Sequence, residues 1–311
     1  MTAVLDAPTP PPPAQRRRWR PNAYLVVSVV LLVACLGLVG WVLGQRAYSD
    51  RLMAQRAQAA VQAVAEEWTA EERQAMTDAA RAYNARLLAL GSPVLGDAVD
   101  PFTGEVLSQT DADYQAVLRL TDTGIMGRVL VPKIGVDLPV MHGSDDDALR
   151  HGAGHLYGTS VPIGGTGTLS VLSAHSGQVT STGFLRLSEL DLGDFVYIQT
   201  MGETHGYVVD RIDVVASTDF SHFVIQPDED RLILMTCTPI GINTERLLVS
   251  AVRANIPDVV PAVADAPTGS KIPQIVKDVT QWAALVIIVL VVVAFRRRRR
   301  RRRLNVRQSD D

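Results

Sequence analysis

The chain has 311 residues, 47% hydrophobic and 20% charged, with a formal net charge of −3. This composition supports a buried core in one or two domains and excludes a chain too polar to fold. Only two cysteines are present, and Cys35 lies in an apolar run, so no disulfide framework can brace a domain outside the cytosol.

The near-neutral mean hides a segregation of charge. Residues 1–23 and 296–311 together hold 13 Arg and 3 acidic residues, whereas 45–295 hold 17 Lys and Arg against 30 Asp and Glu. Residues 1–23 are Pro-rich and basic and read as a disordered cytoplasmic tail. Residues 24–44 carry no charge and are long enough to cross a bilayer as a helix. Arg16, Arg17, Arg18 and Arg20 precede them, on the side expected to face the cytoplasm. No small-x-small cleavage site closes the run, so an uncleaved anchor is expected.

Residues 45–91 are rich in Ala, Gln, Arg and Glu, which predicts a helical stalk or buttress. Thr69 and Glu72 have capping-box spacing and mark the start of a second helix. Met76, Ala79, Ala80, Tyr83 and Leu87 form its apolar face. Residues 92–123 lack periodicity and read as a loop, which at that length is usually functional or disordered. Residues 124–255 change texture. Short β-favouring runs at 129–131, 169–172, 195–198, 207–209, 232–234 and 247–249 alternate with turn residues, a pattern of an all-β sandwich or barrel. Asp145-Asp146-Asp147 after Ser144 reads as a helix start. Residues 256–278, with four prolines, read as a linker.

Residues 279–295 predict a second transmembrane helix. The eight arginines that follow, Arg296–Arg303, suit stop-transfer and attraction to anionic lipid, so the lipid bilayer rather than nucleic acid is their expected partner. A two-pass protein of the cell membrane results, with both termini and the Arg-rich tail 296–311 cytoplasmic and the acidic middle extracytoplasmic.

Cys237 is then a lone thiol outside the membrane. It ends a strand-like run, and a turn containing Pro239, Gly241 and Asn243 leads to the next strand, which Arg246 opens. If the two strands pair antiparallel, the guanidinium returns close to the thiol. His175 ends the run beginning at Leu169. A thiolate nucleophile, a guanidinium for the oxyanion and a histidine to protonate a departing amine are the parts of an acyl transfer. Each residue also has an ordinary structural reading, and spacing alone leaves both open. His151 and His155 are four apart, but Gly152 and Gly154 argue against a helical metal site, and no third ligand stands out. Asp228-Glu229-Asp230 lacks full calcium-loop spacing and reads as solvated charge.

The stretch 124–252 resembles a sortase, the Gram-positive membrane cysteine transpeptidase. Ile233-Leu234-Met235-Thr236-Cys237 with Arg246 resembles the family signature Thr-Leu-x-Thr-Cys followed by an arginine. Val131-Pro132-Lys133-Ile134, the block Gly154–Ser160 and the run Thr238–Val249 are similar to class C, pilus-building members. Ser173-Ala174-His175-Ser176-Gly177 departs from the Gly-His-Arg-Gly of many of them. The resemblance implies a closed all-β barrel of about eight strands with N-terminal helices and a lid loop. It implies His175, Cys237 and Arg246 as catalytic residues, Thr236 as substrate-binding, and Asp100-Pro101-Phe102 as the lid, with Asp100 pairing Arg246 and Phe102 covering the sulfur. The implied partners are pilin subunits with Leu-Pro-x-Thr-Gly sorting signals and the lysine of an acceptor pilin. No cofactor is implied, because a thioester conserves the energy of the broken amide. The chain has no Leu-Pro-x-Thr-Gly of its own; its Leu138-Pro139 continues Val140-Met141, so it reads as enzyme rather than substrate. A wall-anchoring sortase using a peptidoglycan-precursor amine, a hydrolytic cysteine protease and a non-catalytic membrane scaffold for pilins remain as alternatives.

Overall fold

The structure is a computed structural model and describes residues 23–91, 95–96, 106–178 and 181–255. The expected lid residues Asp100, Pro101 and Phe102 and the expected second span at 279–295 lie outside the described residues. The chain divides into two units, Met1–Gly44 and Gln45–Asp311. Helix α1 spans Ala23–Glu67. It is the one helix among the described residues long and apolar enough to cross a membrane.

In the second unit α1 turns Met53, Ala57, Ala60 and Val64 inward, all under 8% exposed. Their three- and four-residue spacing is that of one helical face. Its C-terminal carbonyls are capped by Arg73, whose Nη1 donates to Trp68 O at 2.7 Å. A cation there also offsets the negative end of the helix dipole. Helix α2, Ala70–Leu90, starts on Thr69, and both arms of the expected capping box form. Thr69 N donates to Glu72 Oε2 at 2.8 Å and Glu72 N to Thr69 Oγ1 at 3.1 Å. The face read from sequence buries Ala80, Tyr83 and Leu87, and Asn84 joins it. Asn84 both donates to Val161 O and accepts from Val161 N, so α2 is stitched to the main domain by a buried amide.

The region read as a loop contains two short helices, α3 (Leu107–Thr110) and α4 (Ala112–Ala116). They are too short to announce themselves by periodicity. Tertiary contact holds them: Tyr114 is fully buried against His142, His155 and Tyr157.

Eight strands close into a barrel: β1 Ile125–Val131, β2 Val136–His142, β3 Ala153–His155, β4 Thr168–Ser173, β5 Phe195–Thr200, β6 Glu203–Ala216, β7 Asp230–Thr238 and β8 Glu245–Arg253. The order is β1-β2-β3-β4-β7-β8-β6-β5, closed by β5 on β1. β2–β3 and β4–β7 are parallel and the other pairs antiparallel. Alternate residues of each strand, among them Val129, Val140, Leu172, Ile198, Leu232 and Val249, fill the interior. Helix α5, Asp146–His151, is capped by Asp145, whose carboxylate accepts from Ala148 N.

The all-β expectation is met, and the closed barrel with N-terminal helices matches the expected architecture. β2 and β3 are not legible as strands. Pro139 interrupts β2, but β3 pairs only from Val140 onward, so its missing N–H disrupts no ladder on the β3 side. β3 has three residues, one of them glycine.

Asp230 corrects the reading of 228–230 as solvated charge. Its side chain is 11% exposed. It accepts from Gly165 N at 2.7 Å, Tyr207 Oη at 3.0 Å and Thr168 Oγ1 at 3.3 Å. It therefore ties the starts of β4 and β7 to β6, at the barrel end away from Cys237. His155 is fully buried, with Nδ1 against Tyr114 Oη at 2.9 Å and Nε2 against Ser160 O at 2.9 Å. It is a structural histidine, and His151 at the end of α5 contacts Asp147 instead.

Burial pushes the His155 imidazole down from its ordinary 6.5 to about 4. Between those values the unfolded chain binds a proton that the folded one refuses. Stability should therefore fall as pH drops from about 6.5 to about 4, by on the order of 3 kcal/mol for this residue, and be unaffected by it above that window. Urea midpoints at pH 7.5, 6 and 5 check this, and the ring resonances of His155 should show no titration above about pH 5.

Candidate active site

β7 alternates in a way that fixes where its thiol points. Leu232, Leu234 and Thr236 are buried at 0, 1 and 4% exposure and face the barrel interior, while Met235 and Cys237 are half-buried on the outside. On the antiparallel side Cys237 pairs with Arg246 and Met235 with Leu248. Arg246 and Cys237 therefore share the outer face.

On the other side β4 runs parallel to β7, with Val171 beside Ile233 and Ser173 beside Met235. Ala174 N donates to Met235 O at 3.2 Å, which carries the pairing one residue past the strand. His175 is two residues beyond Ser173, as Cys237 is two beyond Met235, so strand alternation brings it to the same level and face. Three neighbouring strand ends thus present His175, Cys237 and Arg246 side by side, with the thiol in the middle. All three are half-buried, as a site open to a polypeptide must be. Cys237 is a free thiol.

Thr236 points the other way. Its buried hydroxyl donates to Ala174 O at 2.7 Å. It bonds the backbone next to the histidine to the backbone next to the cysteine, and faces away from any substrate on the outer surface.

The β7–β8 turn shapes the guanidinium. Ile242 N and Asn243 N both donate to Pro239 O at 3.0 Å, and Asn243 takes φ +61°, which asparagine tolerates. Arg246 Nη1 then donates to Asn243 O at 3.1 Å and Glu245 O at 3.0 Å. Among the described residues Arg246 forms no ion pair, and both of these hydrogen bonds go to backbone carbonyls.

Beside the three residues the outer face is apolar. Val171, Ile233 and Leu248 form a floor, and Phe223 with Ile225 from the β6–β7 connection packs on it, with Met235 at its edge. Sequence reading did not single out this floor. The available signal was the runs 169–172 and 232–234, apolar on both strand faces, which indicates a sheet covered on both sides. A thiol, an imidazole and a guanidinium on one face can together attack a carbonyl, shuttle a proton and offset the charge that develops.

A sortase-domain profile matches residues 129–254, which include all of His175, Cys237 and Arg246. The crystal structure of sortase C from Streptococcus pneumoniae is 32% identical, with 66% of this chain and 100% of that one covered and a TM-score of 0.57. A lid mutant of sortase A from Corynebacterium diphtheriae is 35% identical over 61% of this chain and 97% of that one, with a TM-score of 0.53. Sortase D of Bacillus subtilis is 34% identical over 119 residues, 38% of this chain and 57% of the relative. The match thus spans little more than half the length of that curated relative.

Replacing Thr236 by Val keeps the shape and removes the hydroxyl, leaving Ala174 O without its buried donor. The variant should lose about 1–3 kcal/mol of stability, read as a lower urea midpoint with an unchanged slope.

Proposed function

The chain belongs to the sortase family, and on that premise we propose that it is a membrane-anchored cysteine transpeptidase of the pilus-building class. The shared outer face of His175, Cys237 and Arg246 is the main support for this reading. The sortase C of S. pneumoniae has been described in terms of pilin substrate specificity, and its likeness to this chain favours a pilin as substrate here. The exposed apolar helix 27–44 fits membrane anchoring; a second span at 279–295 with both termini cytoplasmic completes the proposed topology.

In the proposed reaction a pilin sorting signal, Leu-Pro-x-Thr-Gly, lies along the outer face beside Cys237. The cysteine sulfur, as thiolate, attacks the threonine carbonyl and forms the carbon–sulfur bond. Arg246 stabilises the charge that develops on the carbonyl oxygen. A proton held on His175 passes to the glycine nitrogen as the Thr-Gly bond breaks. The pilin is left as a thioester on Cys237. The amine of a lysine on a second pilin then attacks the thioester, its proton returns to His175, and the thiolate leaves. The product is an isopeptide bond and free enzyme. Thr236 serves as a positioning residue that holds the histidine and cysteine strand ends in register.

The lid reading belongs to the same proposal. Asp100 would neutralise Arg246 and Phe102 would lie over the sulfur, contacts worth about 0–1 and roughly 0.3–1.5 kcal/mol. Such a latch is weak enough to be displaced by substrate. The existence of a lid mutant of the C. diphtheriae enzyme supports considering one here.

Full-length protein in nanodiscs should join a sorting-signal peptide to a pilin lysine when both are supplied, with the product identified by mass. Cys237→Ala should abolish transfer, His175→Ala should lower it about 10²–10⁴-fold and Arg246→Ala about 10²–10³-fold. Transfer surviving in Cys237→Ala would overturn the mechanism. Selective use of a peptidoglycan-type amine would move the assignment to wall anchoring, and release to water despite abundant lysine would indicate a protease. Replacing Asp100 and Phe102 together with Ala should speed alkylation of Cys237; an unchanged rate removes the lid.

A further inference from the structure

The segment that follows His175 is gripped by a carboxylate far away in sequence. Asp50 of α1 accepts from Thr182 N at 3.0 Å and from Thr182 Oγ1 at 2.6 Å. Both bonds are part-buried and involve an ionised acceptor, the stronger kind of hydrogen bond. One turn along α1, Met53 Sδ meets Ser181 Oγ at 4.0 Å. Asp50 thereby extends the inward stripe of Met53, Ala57, Ala60 and Val64 by one turn.

What Asp50 grips lies directly against His175. Gln178 N donates to Ser181 O at 2.8 Å. Phe184 N donates to His175 O at 2.9 Å, and Phe184 is fully buried. Between Thr182 and Phe184 the chain passes so close to the histidine that a Cβ on Gly183 would stand 2.6 Å from His175 O, and Gly183 has φ +50°. The two residues flanking Gly183 are therefore held from opposite sides, Thr182 by α1 and Phe184 by the histidine's own carbonyl. The apolar stripe already docks α1, and a half-buried carboxylate adds a desolvation cost that packing alone does not require.

We infer that Asp50 is a positioning residue for His175, acting through Thr182 to fix the backbone from which the imidazole projects. This rests on the role proposed above for His175.

Asp50→Ala, Asp50→Asn, Thr182→Val and the Asp50→Ala/Thr182→Val double variant, each in the full chain in nanodiscs, test the inference. Asp50→Ala should lower kcat about tenfold with KM unchanged, as a small misplacement of a catalytic group does. Alkylation of Cys237 should keep its wild-type rate. Asp50→Asn, which retains one acceptor, should fall between. The double variant should be little worse than Asp50→Ala, because both changes break one link. Independently of turnover, Asp50→Ala should speed amide exchange at Thr182 and Phe184. Unchanged exchange overturns the grip. Faster exchange with wild-type kcat overturns the positioning role, as does a loss shared equally by KM or by alkylation. If the wild-type protein transfers no peptide, the proposed function fails, while exchange still decides whether Asp50 holds the segment.

Discussion

Parallel pairing of β4 with β7, continued past the strands by Ala174 N on Met235 O, is the constraint on which the site depends. Parallel neighbours finish at the same edge of a sheet, so two residues remote in sequence reach one level without any contact between their side chains. β8 then returns antiparallel and sets Arg246 opposite Cys237. A slip of one residue in either register would turn the thiol or the imidazole into the barrel, because strand side chains alternate faces. The buried Thr236–Ala174 hydrogen bond resists that slip where it would matter most.

Around this edge the fold divides its polar and apolar surfaces. The inner faces of the strands make the main core, and the outer faces of β4, β7 and β8 make a second, smaller one roofed by Phe223 and Ile225. The second core ends beside Cys237, where the thiol becomes half-exposed. At the opposite end Asp230 gathers Gly165, Thr168 and Tyr207 into one partly buried cluster. The barrel is thus tied off by polar contacts at the end away from Cys237.

The helices contribute through particular contacts. Asn84 fixes α2 to Val161, Arg73 closes the end of α1, and Asp50 reaches the segment after His175. An ordinary buttress would need only the apolar stripes. The three polar contacts give the helices a defined seat, because a buried amide or carboxylate is costly wherever its partner is missing.

Much was legible in the amino-acid order. Thr69 and Glu72 announce the start of α2 because a capping box is local, and a solitary thiol before a turn and an arginine marks Cys237 and Arg246 as candidates. The alternation of short apolar runs gives the all-β class. β2 and β3 were not legible, since Pro139 and a three-residue strand become acceptable only with their neighbours in place. Asp230 read as solvated charge because an acidic triplet looks alike whether its hydrogen bonds come from solvent or from Gly165, Thr168 and Tyr207. The contact of Asp50 was equally hidden, 132 positions from Thr182. The sequence by itself determined the apolar N-terminal helix, the capping box of α2 and the β class, and it marked out His175, Cys237 and Arg246 as candidates, because those follow from local pattern and composition. Tertiary structure alone decided which faces they share, that Thr236 turns inward and that α1 grips the histidine segment, because register and long-range hydrogen bonds exist only once distant strands have paired.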